Sequence, residues 1–161
     1  MTTGTSTSAI DTELAPRLRL AITRTARRLR QEASSDLGPS QLASLATIER
    51  YGPLAPGELA QRERIKPPTA TRILGHLEGA GLVERVRDPA DGRSSILSIT
   101  ADGRALLRRV RARKTAYLAQ NLQQLDSDDV AALERAAEVL ERMLEQHPTA
   151  EHRVVAAGDP R

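Results

Sequence analysis

The sequence predicts a mainly α-helical chain that carries one small β-hairpin. Three observations lead there. Apolar residues recur at helical spacing through most of the chain. Two short runs with β-branched residues, 82–87 and 94–99, flank the turn-forming stretch "DPADGR". Aromatics are almost absent: 161 residues include two Tyr, no Phe and no Trp. The core must then be Leu, Ile, Val and Ala, which suits packed helices better than a sheet sandwich.

Taken in order, residues 1–10, MTTGTSTSAI, are rich in Ser, Thr and Gly and are expected to be disordered. From 11 to about 33, Leu14, Leu18, Ala21, Ile22 and Leu29 fall on one face of a first helix. A second helix begins with Pro39 at its first position and runs to Arg50, with Leu42, Leu45, Ala46 and Ile48 inward. "YGPLAPG" ends it. A short third helix covers 56–63, with Leu59 and Ala60 inward, and "RIKPP" interrupts it. Pro67 or Pro68 opens a fourth helix, whose inner face is Ala70, Ile73, Leu74 and Leu77, and "GAG" after residue 78 stops it. The hairpin follows. Thr100 is placed to cap a long helix, with Asp102 at its positive end and Leu106, Leu107, Val110, Tyr117, Leu118 and Leu122 as apolar positions. "LDSDD" breaks and recaps the chain. Asp126 is the expected N-cap of a last helix, and Asp128 and Asp129 favour its dipole. Val130, Leu133, Ala137, Leu140 and Leu144 follow at near-heptad spacing, and such a row needs a partner, in the same chain or another. Residues 147–161 look like a second disordered tail. Two short helices, a tight turn and a hairpin in the middle make a winged helix-turn-helix.

Composition excludes several classes of function. There is no Cys, so disulfides, thiolate metal sites and thiol redox sensing are ruled out. No apolar run approaches a membrane span and the N-terminus lacks a signal-peptide core, so the expected location is cytoplasmic, with no membrane partner. Net charge is only +3, but it is unevenly spread. Arg17, Arg19, Arg24, Arg27, Arg28 and Arg30 cluster early; Arg104, Arg108, Arg109, Arg111, Arg113 and Lys114 cluster later; 126–145 is mostly acidic. Separated basic and acidic surfaces point to a polyanionic partner.

The outer face of the fourth helix carries Thr69, Thr71, Arg72 and His76. A helix in a DNA major groove uses such residues: Arg bonds guanine O6 and N7 together, and Thr bonds a base edge or touches a thymine methyl. The bland alternative is an amphipathic helix with an ordinary polar outside. The hairpin that follows weighs against it, because the two features together are much rarer than either alone. Lys66 and Pro68, at the helix start, complete the candidates there. "RDPADGR" admits three readings. A catalytic or metal-binding carboxylate pair lacks a third ligand, and His76, His147 and His152 are scattered. A plain solvated hairpin is the second. In the third, Arg93 enters a minor groove, whose negative potential attracts arginine, and Asp91 shapes the loop. Arg85 and Arg87 would add phosphate contacts, or pair at the surface with Glu84 or Asp88. No phosphate-cradling Gly-rich loop and no Ser/His/Asp arrangement is present. The chain does not read as an enzyme, and no cofactor is expected. The rival to DNA binding is a winged helix that binds protein; cationic Arg72 and Arg93 on the exposed tips argue against it.

At this point the sequence resembles the MarR (multiple antibiotic resistance regulator) family of bacterial transcription regulators. The resemblance rests on Leu59-Ala60, Leu77-Glu78, Gly81-Leu82-Val83-Glu84-Arg85, Asp91-Gly92-Arg93 and Ile99-Thr100-Ala101-Asp102-Gly103. The flanking helices fit it in number and order over about residues 11–146. It implies a homodimer whose first and last two helices intertwine: a winged helix-turn-helix domain at 37–100, flanked by dimerisation helices at 11–36 and 101–146. Recognition helix 67–79 and wing 86–99 would read a pseudo-palindromic operator in double-stranded DNA, as a repressor released by a small-molecule effector bound between lobe and dimer region. The contact set it implies is Lys66, Pro68, Thr69, Thr71, Arg72, His76, Arg85, Arg87, Asp91 and Arg93. The ligand-binding residues stay unassigned. Three departures matter. Pro67-Pro68 replaces small polar residues at the recognition-helix start and removes backbone donors. Gly92 replaces a common wing arginine. Any pocket would be aliphatic and Arg-lined, with only Tyr51 or Tyr117 available for stacking, and a Tyr in such a place is more often simple core filling.

Overall fold

The computed structural model describes residues 13–33, 35–87 and 95–146. Among them the order is α1 (Ala15–Glu32), α2 (Pro39–Tyr51), α3 (Pro56–Arg62), α4 (Pro67–Gly79), β1 (Val83–Arg87), β2 (Ser95–Ile99), α5 (Ala101–Leu122) and α6 (Ser127–Gln146). The expected tails at 1–10 and 147–161 and the wing tip at 88–94, with Asp91 and Arg93, lie outside the described residues.

Helices α2, α3 and α4 each open on a proline. The first helical residue has no intrahelical partner for its N–H, so proline costs nothing there and fixes φ in advance. Gly38, before α2, donates its N–H to the Gln41 Oε1 at 2.7 Å, which closes that helix start. Thr100 accepts from the Gly103 N–H at 3.1 Å and caps α5, and Asp126 accepts from the Asp129 N–H at 2.8 Å and caps α6. Both caps stand where the sequence predicts them. Two boundaries differ by a residue: α2 reaches Tyr51, and α3 stops at Arg62. Leu82, expected to open the first strand, instead donates its N–H to the Leu77 carbonyl at 2.9 Å and closes α4; the turn passes through Gly81 at φ +69°, a conformation open to glycine at no steric cost.

The hairpin is antiparallel, with Val83 opposite Ile99 and Arg87 opposite Ser95. Leu54 adds a one-residue bridge to Leu97 through two backbone hydrogen bonds, of 3.2 and 2.8 Å, and ties the α2–α3 loop to the sheet. The core lies where α2, α3, α4, the hairpin and the start of α5 meet. Leu45, Ile48, Leu54, Leu59, Leu74, Leu77 and Leu97 are buried almost completely, and Leu107 reaches in from α5. The predicted inner faces of α3 and α4 are the buried ones.

Outside this lobe the pattern reverses. Neither α1 nor α6 buries a single residue. Leu14, Leu18 and Ile22 of the first segment, and Val130, Leu133 and Leu144 of the last, are exposed. Helix α1 rests on α5, where the Arg28 Nε donates to the Tyr117 hydroxyl at 3.3 Å and its guanidinium lies 5.8 Å from the ring centre. That hydrogen bond, then Glu32 at 2.8 Å, raises the Arg28 pKa above its already high ordinary value. The group stays charged at every working pH.

Candidate nucleic-acid interface

The interface starts from the turn between α3 and α4. Ile65 donates to the Ala60 carbonyl at 3.0 Å and packs against the core, and Arg64 adopts φ 52° to allow it. A left-handed turn at a non-glycine residue carries a steric cost of about 1–2 kcal/mol. The buried Leu59, Ala60 and Ile73 around it hold the two helices at their angle.

Helix α4 is then divided cleanly. Ala70, Ile73, Leu74 and Leu77 face the core. Lys66, Pro68, Thr71, Arg72 and His76 are exposed on the opposite side, and Thr69 is half-buried. Arg72 forms no ion pair among the described residues, so its five donors remain free for a partner. The Thr71 hydroxyl donates to the Pro67 carbonyl at 3.0 Å, which leaves its methyl and its lone pairs facing outward. Thr69, Arg72 and His76 line one wall of a cleft of about 240 Å³, and Ser40 and Gln41 at the start of α2 line the other. No local pattern marks these two α2 residues as neighbours of α4; only the packing of α2 brings them there.

The two strand arginines behave differently. Arg85 is committed within the chain: its Nε donates to the Glu78 Oε1 at 2.9 Å and its Nη1 to the Ser95 Oγ at 3.2 Å. The partner is thus Glu78 of α4, seven residues back, rather than the adjacent Glu84 considered from sequence; an antiparallel hairpin packed on α4 makes the distant carboxylate the nearer one. Arg87 is exposed and unpaired among the described residues. Residues two apart along a strand share a face, so Arg85 and Arg87 point to the same side.

A second cleft of about 240 Å³ opens between α1, α2 and α5. Leu37, Leu42 and Val110 supply its apolar wall, and Arg30 and Lys114 its charges. It has no aromatic lining residue, and neither tyrosine borders it. Tyr51 instead packs beside the core with the Arg62 guanidinium 4.3 Å from its ring centre, and Tyr117 meets Arg28. Arg30 and Lys114 are 84 positions apart (114 − 30), so sequence spacing could not pair them. Arg111 of α5 forms an ion pair with Glu49 of α2.

Among the described residues no group of three or more His, Asp or Glu side chains is placed to hold a metal ion, and no helix is long and apolar enough to cross a membrane.

The MarR family model matches residues 37–95, from just before α2 to the first residue of β2. An HTH-type transcriptional regulator of Mycobacterium leprae is 36% identical over 139 residues, which cover 86% of this chain and 97% of that protein. The chain belongs to the MarR family. A second relative of this MarR-family chain is the HTH-type transcriptional repressor MdtR of Bacillus subtilis, 32% identical over 111 residues, covering 65% of this chain and 72% of MdtR. In three dimensions, the crystal structure of a transcriptional regulator from Pseudomonas aeruginosa PA01 aligns with a TM-score of 0.75 at 34% identity, covering 84% of this chain and 97% of that one. Helices α3 and α4 with the β1–β2 hairpin are therefore the winged helix-turn-helix of a MarR-type, DNA-binding transcription regulator. The MarR family is one of transcriptional regulators, not of enzymes.

Proposed function

We propose that this regulator is a homodimeric repressor that reads a pseudo-palindromic operator in double-stranded DNA. Recognition helix 67–79 of each protomer enters a major groove, and wing 86–99 lies over the adjacent minor groove. The observation that carries this reading is the outward face of α4, where Arg72, unpaired among the described residues, stands beside Thr71 and His76 above a fully apolar inner face. Lys66 and Arg87 flank it as phosphate contacts, and Asp91 and Arg93 are assigned to the wing tip. Arg85 serves more as a strut between hairpin and α4 than as a phosphate ligand, because Glu78 already neutralises it.

The homodimer is supported by the exposed apolar faces of α1 and α6, which a single protomer leaves in water. The segments 11–36 and 101–146 form the dimer region and 37–100 the DNA-binding domain. Repression is supported by the name of the repressor MdtR. Release by a small molecule is supported by the cleft of Arg30, Leu42, Val110 and Lys114, which sits between the lobe and that dimer region, the stem; an effector need only bind the DNA-incompetent arrangement better. A regulator of this kind works on the chromosome, which places it in the cytoplasm.

The test is selection of a preferred duplex from random sequence, followed by anisotropy across a salt series. Arg72→Ala is expected to relax preference at one or two base positions, by about 1–3 kcal/mol. Arg93→Ala is expected to weaken all duplexes alike and lower the salt slope by about one. Salt-insensitive or absent duplex binding by the wild-type protein at micromolar concentration would sink the reading and favour a protein-binding winged helix.

A further inference from the structure

Gly75 is the ninth of the thirteen residues of α4, and it is exposed. Glycine is the poorest helix former after proline, so a glycine inside a helix needs a reason. Among the described residues there is none. A Cβ added at residue 75 meets nothing within 4 Å. Gly81 alone among the described glycines has a positive φ, so the backbone at 75 is one that any residue adopts. Neither packing nor conformation calls for glycine, and alanine would stabilise the helix.

The reason must lie in something that approaches α4 from outside. At 100° per residue, Pro68, Arg72 and Gly75 fall within roughly 60° of one another at the centre of the outward face, opposite Ile73, Leu74 and Leu77. The side chains meant to touch bases are unequal in reach. Arg72 is long, while Thr71 is short and folds its hydroxyl back to the Pro67 carbonyl. A short side chain touches a base edge only where the helix backbone itself comes close to the groove floor.

We infer that Gly75 is a positioning residue for DNA recognition: its missing side chain lets the α4 backbone seat deep enough for Thr71 and Arg72 to reach base edges. Position 75 reads no base itself. The inference rests on α4 being the recognition helix.

Gly75→Ala and Gly75→Leu test it, since both residues are better helix formers than glycine and have open space in the protomer. Melting temperature is measured for each, with affinity for the duplex selected by the wild-type protein and for a scrambled duplex, across a salt series. The expected result is opposed signs. Gly75→Ala melts about 2–4 °C higher than wild type. It nevertheless binds the selected duplex at least about tenfold more weakly, and Gly75→Leu about a hundredfold more weakly. Scrambled-duplex affinity and the salt slope stay unchanged, because a steric block removes no phosphate contact. A purely structural role would lower both melting temperature and affinity, and that outcome overturns the inference. Selected-duplex affinity within twofold of wild type for both variants overturns it too. If Arg72→Ala still relaxes base preference in that case, α4 remains the recognition helix and only the role of Gly75 falls. If the wild-type protein binds no duplex, both fall together.

Discussion

A Cβ at Gly103 would sit 2.3 Å from the Leu82 carbonyl oxygen and 2.7 Å from the Ile99 Cγ1. The Leu82 backbone and the buried Ile99 side chain crowd that point, and the carbonyl cannot give way easily. Three residues earlier in the junction, the Thr100 hydroxyl accepts from the Gly103 N–H and donates to the Gly81 carbonyl at 2.7 Å. Three turns of chain are thus pinned by one hydroxyl and one absent side chain. Gly103→Ala is expected to destabilise the fold by about 1–3 kcal/mol, as overpacking a tight site does, measured by denaturant unfolding with an unchanged m-value. Glu78 offers a contrast at the interface. Its carboxylate holds Arg85, yet the pair is largely exposed and contributes at most about 1 kcal/mol of stability. Glu78→Gln should therefore melt close to wild type while freeing a cation beside α4. Binding to a scrambled duplex should tighten, with a salt slope steeper by about one unit; an unchanged slope would mean that Arg85 never faces phosphate.

At the scale of elements, the lobe follows from local rules. Proline at the first position of α2, α3 and α4, Thr100 and Asp126 as caps, and the 3.6-residue period of Ala70, Ile73, Leu74 and Leu77 all act within a few residues of themselves. Each was legible in the sequence for that reason. The outward face of α4 was legible by subtraction, as what the apolar stripe leaves over. Long-range partners were not. Glu78 reaches Arg85 only because the hairpin folds back on α4; Ser40 and Gln41 reach α4 only through the packing of α2; Arg30 meets Lys114 only because α1 lies along α5. Periodicity says which face of a helix turns inward and nothing about which helix it turns toward. The mid-helix glycine at 75 was visible in the sequence, but only the open space around it turns it from a weak point into a clue.

The whole molecule is two unlike halves. The lobe buries its leucines, whereas α1 and α6 expose theirs, so the stem is complete only against another surface. A second copy of the chain brings the same unsatisfied faces and, in addition, opposite charge: α1 carries six arginines and α6 is rich in Asp and Glu. Leu133→Asp, whose side chain is already in water in the single protomer, should leave lobe folding intact and shift light-scattering mass from dimer toward monomer, with loss of operator affinity. A variant that stays dimeric would remove α6 from the interface. Along α5, the Gly103–Thr100 junction at its start and the Arg111–Glu49 pair near its middle tie it to the lobe, and Tyr117 further on meets α1 within the stem. That spacing makes α5 a lever. Its 22 residues form a rod about 33 Å long, and a rocking of about 5° at the stem end sweeps the lobe end through about 3 Å. Successive base pairs are about 3.4 Å apart. Wherever the stem holds a partner, a tilt too small to disturb a single buried leucine is enough to carry α4 almost one base pair out of register.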